Sequence, residues 1–355
     1  MIQPKKVLII DDSKVVRYIL TDILSQDESI EVVGAASDPY EAIEKIRILN
    51  PDVITLDVEM PRMNGIDFLK RLLRHKPLPV IMISSYTKQN SDLTIEALAM
   101  GAVDFITKPS ENPNAGLKTL SKDIVAKVKD ATHYKVKVPP FYSSPSEHNS
   151  KFPENHFVVI GASTGGIQAI QHILQNVPPT ISGLVIAQHI PGKYIPALTE
   201  RLDNVATVRV KTAQHNDRIR RGLALIAPPE SQLRIKKDAW GSFVSVEEPD
   251  SADLYAPSID ILFSSAAVSA GNRAIGVLLT GMGQDGARGL LSLKKYGAHT
   301  IAQDRESSVI FGMPRAAIEL NAAGQTLSLE KIPEAIISKL LSVNSEESDG
   351  ENFDY

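Results

Sequence analysis

The run Lys5-Lys6-Val7-Leu8-Ile9-Ile10-Asp11-Asp12 carries four consecutive apolar residues straight into two carboxylates. Outward from it the rhythm repeats: residues 53–56, 80–83 and 105–106 are further short apolar runs, separated by amphipathic stretches. Strand-length runs alternating with helix-length ones predict a parallel sheet wrapped by helices through about residue 110. Residues 111–155 change character, from Glu111-Asn112-Pro113-Asn114 through a lysine-rich helical stretch at 117–130 to Pro139-Pro140 and Ser143-Ser144-Pro145-Ser146. That composition reads as a linker containing a helix. At Phe157 the pattern restarts, with apolar runs at 157–160, 184–187, 224–226 and 274–279, so a second open parallel sheet is expected. Residues 233–246 look like a hairpin inserted at one of its edges.

A chain of 355 residues, 43% hydrophobic and 23% charged, is too long to be most comfortably one domain. It has no cysteine. Disulfides, thiolate metal sites and a cysteine nucleophile are therefore excluded, and any nucleophile must be oxygen or nitrogen. The formal charge is −4, yet residues 344–355 hold five acids (Glu346, Glu347, Asp349, Glu351, Asp354) and no base; without them 38 basic residues face 37 acidic ones. A nearly neutral body lacks the concentrated basic face that nucleic acid requires. The first apolar run is too short for a secretory signal and no run approaches a membrane span, so a soluble, cytoplasmic protein is expected.

Carboxylates and one lysine punctuate the first domain at strand ends. Asp11 and Asp12 close the first run, Asp57 the third strand, Ser84 the fourth, and Lys108 follows the fifth. In an open parallel sheet those ends converge on one edge, where ligands bind. Three converging carboxylates repel one another unless a cation sits among them, and hard oxygen ligands favour Mg²⁺. Any single aspartate here could equally be a helix cap or a turn former. Together with Leu56-Asp57-Val58-Glu59-Met60-Pro61 and Phe105-Ile106-Thr107-Lys108-Pro109, the set resembles a response-regulator receiver domain. The resemblance implies that Asp57 is a phosphoryl acceptor and that Asp11, Asp12 and Asp57, with the Glu59 backbone carbonyl, hold Mg²⁺. It also implies that Ser84 and Lys108 contact the phosphoryl group and that Phe105 reports the switch. Lys108-Pro109 is expected to be a cis peptide.

In the second domain, Gly161-Ala162-Ser163-Thr164-Gly165-Gly166 lies between an apolar strand and a helical pattern. A serine at such a turn is held exposed beside outward-facing N–H groups, the spacing of a nucleophile elbow. A glycine-rich turn of this kind cradles a nucleotide phosphate just as often. A serine needs a base, and among eight histidines only His189 follows an apolar strand of this domain. A carboxylate that orients the histidine is found in Thr280-Gly281-Met282-Gly283-Gln284-Asp285-Gly286, where Asp285 would repel a bound phosphate.

The three motifs, with Pro257-Ser258-Ile259-Asp260 and Val309-Ile310-Phe311-Gly312-Met313-Pro314-Arg315, resemble the catalytic domain of the chemotaxis protein-glutamate methylesterase family. Implied by that resemblance are Ser163 as nucleophile, His189 as base and acid, Asp285 as orienting carboxylate, and the N–H groups of Met282 and Thr164 as oxyanion donors. So are a histidine kinase as phosphodonor, the cytoplasmic domain of a methylated chemoreceptor as substrate, and an esterase centre that needs no cofactor. The expected organisation is α/β throughout: a flavodoxin-like receiver at 1–125, a linker at 126–155, a Rossmann-like catalytic domain at 156–343 and a disordered acidic tail at 344–355. The chain departs from the family at Asp250-Ser251-Ala252-Asp253-Leu254-Tyr255-Ala256, acidic where a basic or histidine-containing stretch is usual, and at Pro228-Pro229. The alternative is a receiver-gated nucleotide-binding or docking module without catalysis.

Overall fold

The computed structural model describes residues 3–85, 87–109, 113–132, 134 and 152–350. They form two compact units, split between Pro140 and Phe141.

The first unit runs β1 Lys5–Ile10, α1 Lys14–Leu24, β2 Ile30–Ala36, α2 Pro39–Leu49, β3 Val53–Asp57, α3 Gly65–His75, β4 Val80–Ser85, α4 Lys88–Met100 and β5 Asp104–Lys108, then α5 Pro113–Thr119 and α6 Ser121–Ala131. Its sheet is parallel in the order β2-β1-β3-β4-β5. Residues 7–10, 53 and 54 are fully buried or nearly so because helices cover both faces. Helix α1 shows how the sequence specifies this. Ser13 caps it by accepting from Val16 N, and Val16, Ile19, Leu20, Ile23 and Leu24 line one buried stripe. The strand order reverses between β1 and β3, so the carboxyl ends of these two strands flank a crevice.

Helix α6 corrects the expected start of the linker at 126. Ile124, Val128 and Ala131 are buried at helical spacing, and the helix packs beside β4 and β5, so the chain through Ala131 belongs to the first unit.

The second unit runs β6 Phe157–Ala162, α7 Gly166–Asn176, β7 Gly183–Gln188, α8 Ile195–Val205, β8 Arg209–Thr212, β9 Leu223–Ile226, β10 Gln232–Asp238, β11 Gly241–Glu247, α9 Ile259–Ala270, β12 Ala274–Leu278, α10 Ala287–Lys295, β13 His299–Gln303, α11 Met313–Glu319, β14 Gln325–Leu327 and α12 Ile332–Gly350. Seven parallel strands lie in the order β14-β13-β12-β6-β7-β9-β8. The hairpin β10-β11 is not an edge of that sheet but a two-stranded sheet of its own. Leu233, Ile235 and Val244 join Ile259, Leu262 and Phe263 in one core cluster, so the hairpin's apolar face is buried on α9 instead of beside a strand. Among the described residues the cis peptide is Ala256–Pro257, and Lys108–Pro109 is trans; both are X-Pro bonds, and sequence alone does not separate them.

The acidic stretch expected to be disordered is helical in its backbone to Gly350, continuing a helix anchored by buried Ile332, Ile336 and Leu340; residues 351–355 lie outside the described residues. Among the described residues no helix is long and apolar enough to cross a membrane.

Candidate active site and phosphoacceptor site

The chain enters the second sheet at β6, moves outward to β7 and the edge strand β8, fills the gap between them with β9, and returns to β12 on the other side of β6, so the switch point lies between β6 and β12. Ser163 follows β6, His189 follows β7 and Asp285 lies beyond β12, all at the carboxyl edge. Backbone hydrogen bonds hold the turns in register: Ser163 N donates to Thr280 O at 3.0 Å and His189 N to Ala162 O at 2.9 Å. A Cβ on Gly281 would fall 2.6 Å from the Cβ of Ser163, so only glycine lets the 280s loop approach the serine this closely.

His189 Nε2 lies 2.8 Å from Asp285 Oδ2. An ionised carboxylate only accepts, so Nε2 carries the proton and Nδ1 keeps its lone pair. Four further donors saturate Asp285: Ser258 Oγ at 3.1 Å, Asp260 N at 3.0 Å and Gly286 N at 3.0 Å on Oδ1, and Ile259 N at 2.8 Å on Oδ2. Two of these N–H groups open α9, whose N-terminal field favours an anion. Burial pushes the carboxyl up, but the hydrogen bonds from His189, Ile259 and Asp260 outweigh it and hold Asp285 below the ordinary aspartate range. Among the described residues no hydrogen bond joins Ser163 Oγ to His189, a looseness common before substrate is bound. The Met282 N–H likewise has no acceptor among the described residues, and the residue is 39% exposed.

Sequence reasoning missed several residues that build this centre. Buried Gln188 donates through Nε2 to both Ser163 O at 2.9 Å and His189 O at 3.0 Å, tying the two turns together. Thr280 Oγ1 donates to Thr164 O at 2.9 Å and accepts from Ile310 N at 2.9 Å, joining the serine turn to the 309–312 loop. Tyr255 stacks on the His189 ring, centroids 4.7 Å apart and planes at 14°. Gln232 holds Tyr255 there, its amide N donating to Tyr255 O at 2.7 Å and Asp253 Oδ2 at 2.9 Å while its carbonyl accepts from Ser258 N at 2.8 Å. The acidic segment that departs from the family pattern is thus built into the wall of the site.

In the first unit, Asp11, Asp12 and Asp57 place carboxylate oxygens within 4.8 Å of one another. Lys108 Nζ lies 2.7 Å from Asp57 Oδ2 and 2.8 Å from Asp11 Oδ2. That Asp11 oxygen is buried and rests on the Lys108 ammonium alone among the described residues, so it keeps a lone pair with which to accept a further cation. Burial pushes Asp57 up to about 7 against the pull of Lys108, and the charge on Asp11 adds to the rise. Burial also works against the Lys108 ammonium, but Asp57 and Asp11 more than offset it and raise its pKa. The donor set is all oxygen and hard, and it fits a divalent cation such as Mg²⁺.

Glu59 N donates to Asp57 Oδ1 at 3.4 Å, which turns the chain at the site. Buried Ser84 donates to Ser85 O at 3.1 Å. Phe105 is buried with the Lys127 ammonium 5.4 Å from its ring centroid. Arg17, absent from the sequence reading, pins the acidic turn by donating to Asp11 O at 2.7 Å and Asp12 O at 2.9 Å.

Comparison with known proteins matches residues 158–336 to the CheB methylesterase family and residues 7–119 to the response regulator receiver domain. A relative from Nitrosomonas europaea, named protein-glutamate methylesterase/protein-glutamine glutaminase, is 41% identical over 349 residues, covering 96% of this chain and 98% of its own. One of the same name and number 1 from Xanthomonas campestris is 43% identical, covering 94% and 97%. The crystal structure of the Thermotoga maritima CheB methylesterase catalytic domain is 35% identical with a TM-score of 0.50, covering 52% of this chain and 98% of that one.

Proposed function

The chain belongs to the CheB methylesterase family, and from that premise we propose that Ser163, His189 and Asp285 form its catalytic triad and Asp57 its phosphoryl acceptor. It is a receiver-linked protein-glutamate methylesterase acting in chemotaxis adaptation, with protein-glutamine glutaminase as a second activity of the same centre. The observation that carries the assignment is the His189–Asp285 hydrogen bond at the carboxyl edge beside the serine turn.

His189 Nδ1 takes the Ser163 proton as Oγ attacks the γ-ester carbonyl carbon of a receptor glutamate. The carbonyl electron pair moves to oxygen, where the N–H groups of Met282 and Thr164 meet it; one good donor contributes roughly 3 kcal/mol. Collapse expels methanol, protonated by His189, and leaves an acyl-Ser163 ester. Water, deprotonated by His189, then releases the glutamate and restores the serine. With glutamine as substrate the leaving group is ammonia. Asp285 neutralises the transient imidazolium and fixes its tautomer throughout.

In the receiver, Asp11, Asp12 and Asp57 with the Glu59 carbonyl would hold Mg²⁺, which supplies positive charge to the group being transferred. Ser84 and Lys108 contact the phosphoryl group on Asp57, whose donor is a histidine kinase, and Phe105 reports the change. Phosphorylation then releases the esterase from inhibition by the receiver. The test is methanol release from a methylated chemoreceptor with and without an aspartyl-phosphate donor and Mg²⁺. Stimulation lost in Asp57→Asn, and release abolished in Ser163→Ala, are expected. Undiminished release by Ser163→Ala refutes the triad.

A further inference from the structure

The His189 imidazole is roofed by Tyr255, whose ring lies nearly parallel to it with centroids 4.7 Å apart and planes at 14°. Stacked rings sit about 3.5–4 Å apart, so that separation displaces the tyrosine roughly 3 Å to one side. Its phenol oxygen shows the direction, lying 3.8 Å from the point that a Cβ on Gly283 would occupy. The ring therefore reaches from the base toward the Met282-Gly283 turn, on the same loop as the Gly281 that touches Ser163. Its place is fixed within the chain. Buried Gln232 donates to Tyr255 O at 2.7 Å and accepts from Ser258 N at 2.8 Å, and the Ser258 hydroxyl in turn reaches Asp285. Tyr255 is still 45% exposed, so its ring is an open wall of the centre and not part of the core.

A group that shares a proton with Nδ1 lies in the imidazole plane, along the nitrogen lone pair. In hydrolysis by the triad that group is first the Ser163 hydroxyl and then the leaving group, and each stands beneath a ring parallel to that plane. We infer that the Tyr255 ring is the wall the leaving group meets and that it sets the preference for a glutamyl methyl ester over glutamine, a step that rests on the esterase reading above. The two substrates share acyl chain, carbonyl, nucleophile and oxyanion donors, and they differ only in what departs, methanol or ammonia. The methoxy group carries a methyl, which gains by leaving water for an aromatic face. The amide NH₂ carries two donors, to which a ring face offers only a weak acceptor while it excludes the water that would serve better. An apolar wall here therefore favours the ester on both counts. A closed apolar pocket reads one extra carbon at about tenfold or more in kcat/KM, and a half-exposed wall reads less, about fivefold.

The test uses the full chain and one receptor cytoplasmic domain carrying either the methyl ester or glutamine at the same position. Methanol and ammonia release give kcat/KM for each. The ratio of ester to glutamine is expected to fall about fivefold in Tyr255→Ala and to stay within about twofold of wild type in Tyr255→Phe. Tyr255→Leu keeps an apolar side chain without the stack and is expected to hold the ratio above that of Tyr255→Ala, even where both lose rate. Equal losses of both activities in Tyr255→Ala, with the ratio unmoved, would show that the ring only positions His189 and would overturn the inference. A ratio that falls equally in Tyr255→Phe would overturn it too, by giving the selection to the phenol oxygen. A wild type that releases no methanol would refute the esterase reading itself, a failure visible before any variant is measured.

Discussion

Replacing Asp285 by asparagine tests the centre at its most determined point. The carboxylate accepts five hydrogen bonds, three on Oδ1 and two on Oδ2. An asparagine can place its oxygen at the Oδ1 position and keep Ser258, Asp260 and Gly286 satisfied. Its NH₂ then faces two donors, Ile259 N–H and His189 Nε2–H. The histidine escapes by shifting its proton to Nδ1, which leaves no base toward Ser163; the peptide N–H of Ile259 has no such escape. Holding the wrong tautomer in a serine triad costs on the order of 10⁴ in kcat, about 5 kcal/mol of barrier. The orphaned N–H costs about 1–3 kcal/mol of stability. Rotating the amide instead keeps the histidine tautomer but strands two backbone N–H groups, Asp260 and Gly286, which is worse; the Ser258 hydroxyl can turn to accept. The assay pairs hydrolysis of a small glutamyl methyl ester with urea unfolding of the full chain. Activity within tenfold of wild type in a folded Asp285→Asn protein would show that the tautomer argument is wrong.

Three further outcomes follow from single contacts. Tyr255→Ala removes the ring stacked on His189, an aromatic pair of about 0.5–1.5 kcal/mol, and is expected to lower kcat on the small ester roughly two- to tenfold, with Tyr255→Phe restoring it; equal losses in both would move the role to the phenol oxygen. In Gly65→Ala the new Cβ would fall 2.0 Å from Asp57 O, a backbone atom, so the receiver should lose about 1–3 kcal/mol in urea unfolding and form aspartyl phosphate more slowly. Because Asp285 lies below its ordinary pKa, its stabilisation is fully present above the unfolded value near pH 4 and is lost as pH falls through the folded value; an acid titration of Asp285→Asn should therefore lose less stability below about pH 4 than wild type does.

What was legible in the sequence was local. Strands read correctly where they are buried on both faces and hence continuously apolar, as in residues 157–160 and 184–187. Strands β2, β8, β13 and β14 give no continuous apolar run, because Glu31, Arg209, Lys211, His299 and Gln325 interrupt the signal at partly exposed or short positions. The same division separates the residues of the site. Asp57 ends a strand, Ser163 and His189 directly follow one, and Asp285 lies in the glycine-rich loop after β12; each has a side chain whose own chemistry flags it. Gln188, Gln232, Tyr255, Thr280 and Arg17 matter through the atoms they reach, and those partners lie in other segments of the chain. Pro257-Ser258-Ile259-Asp260 was visible as a motif, but its use, aiming a capped helix N-terminus at Asp285, depends on a contact 26 residues away.

The two units place aspartates at equivalent edges of parallel sheets and treat their charge in opposite ways. Asp285 is buried among five donors at a helix N-terminus, one of them the His189 ring, so its negative charge is fully met within the chain. Asp57 is buried beside a second carboxylate with a single lysine between them, and burial pushes its pKa up to about 7. Among the described residues Lys108 is the one cation within ion-pair distance of the three clustered carboxylates, since Arg17 is spent on the backbone carbonyls of Asp11 and Asp12, so positive charge falls short there. A site left short in this way responds strongly to an arriving cation or phosphoryl group, because each changes the balance that holds Lys108. The esterase centre has no such deficit, because the charge on Asp285 is already met by its five donors.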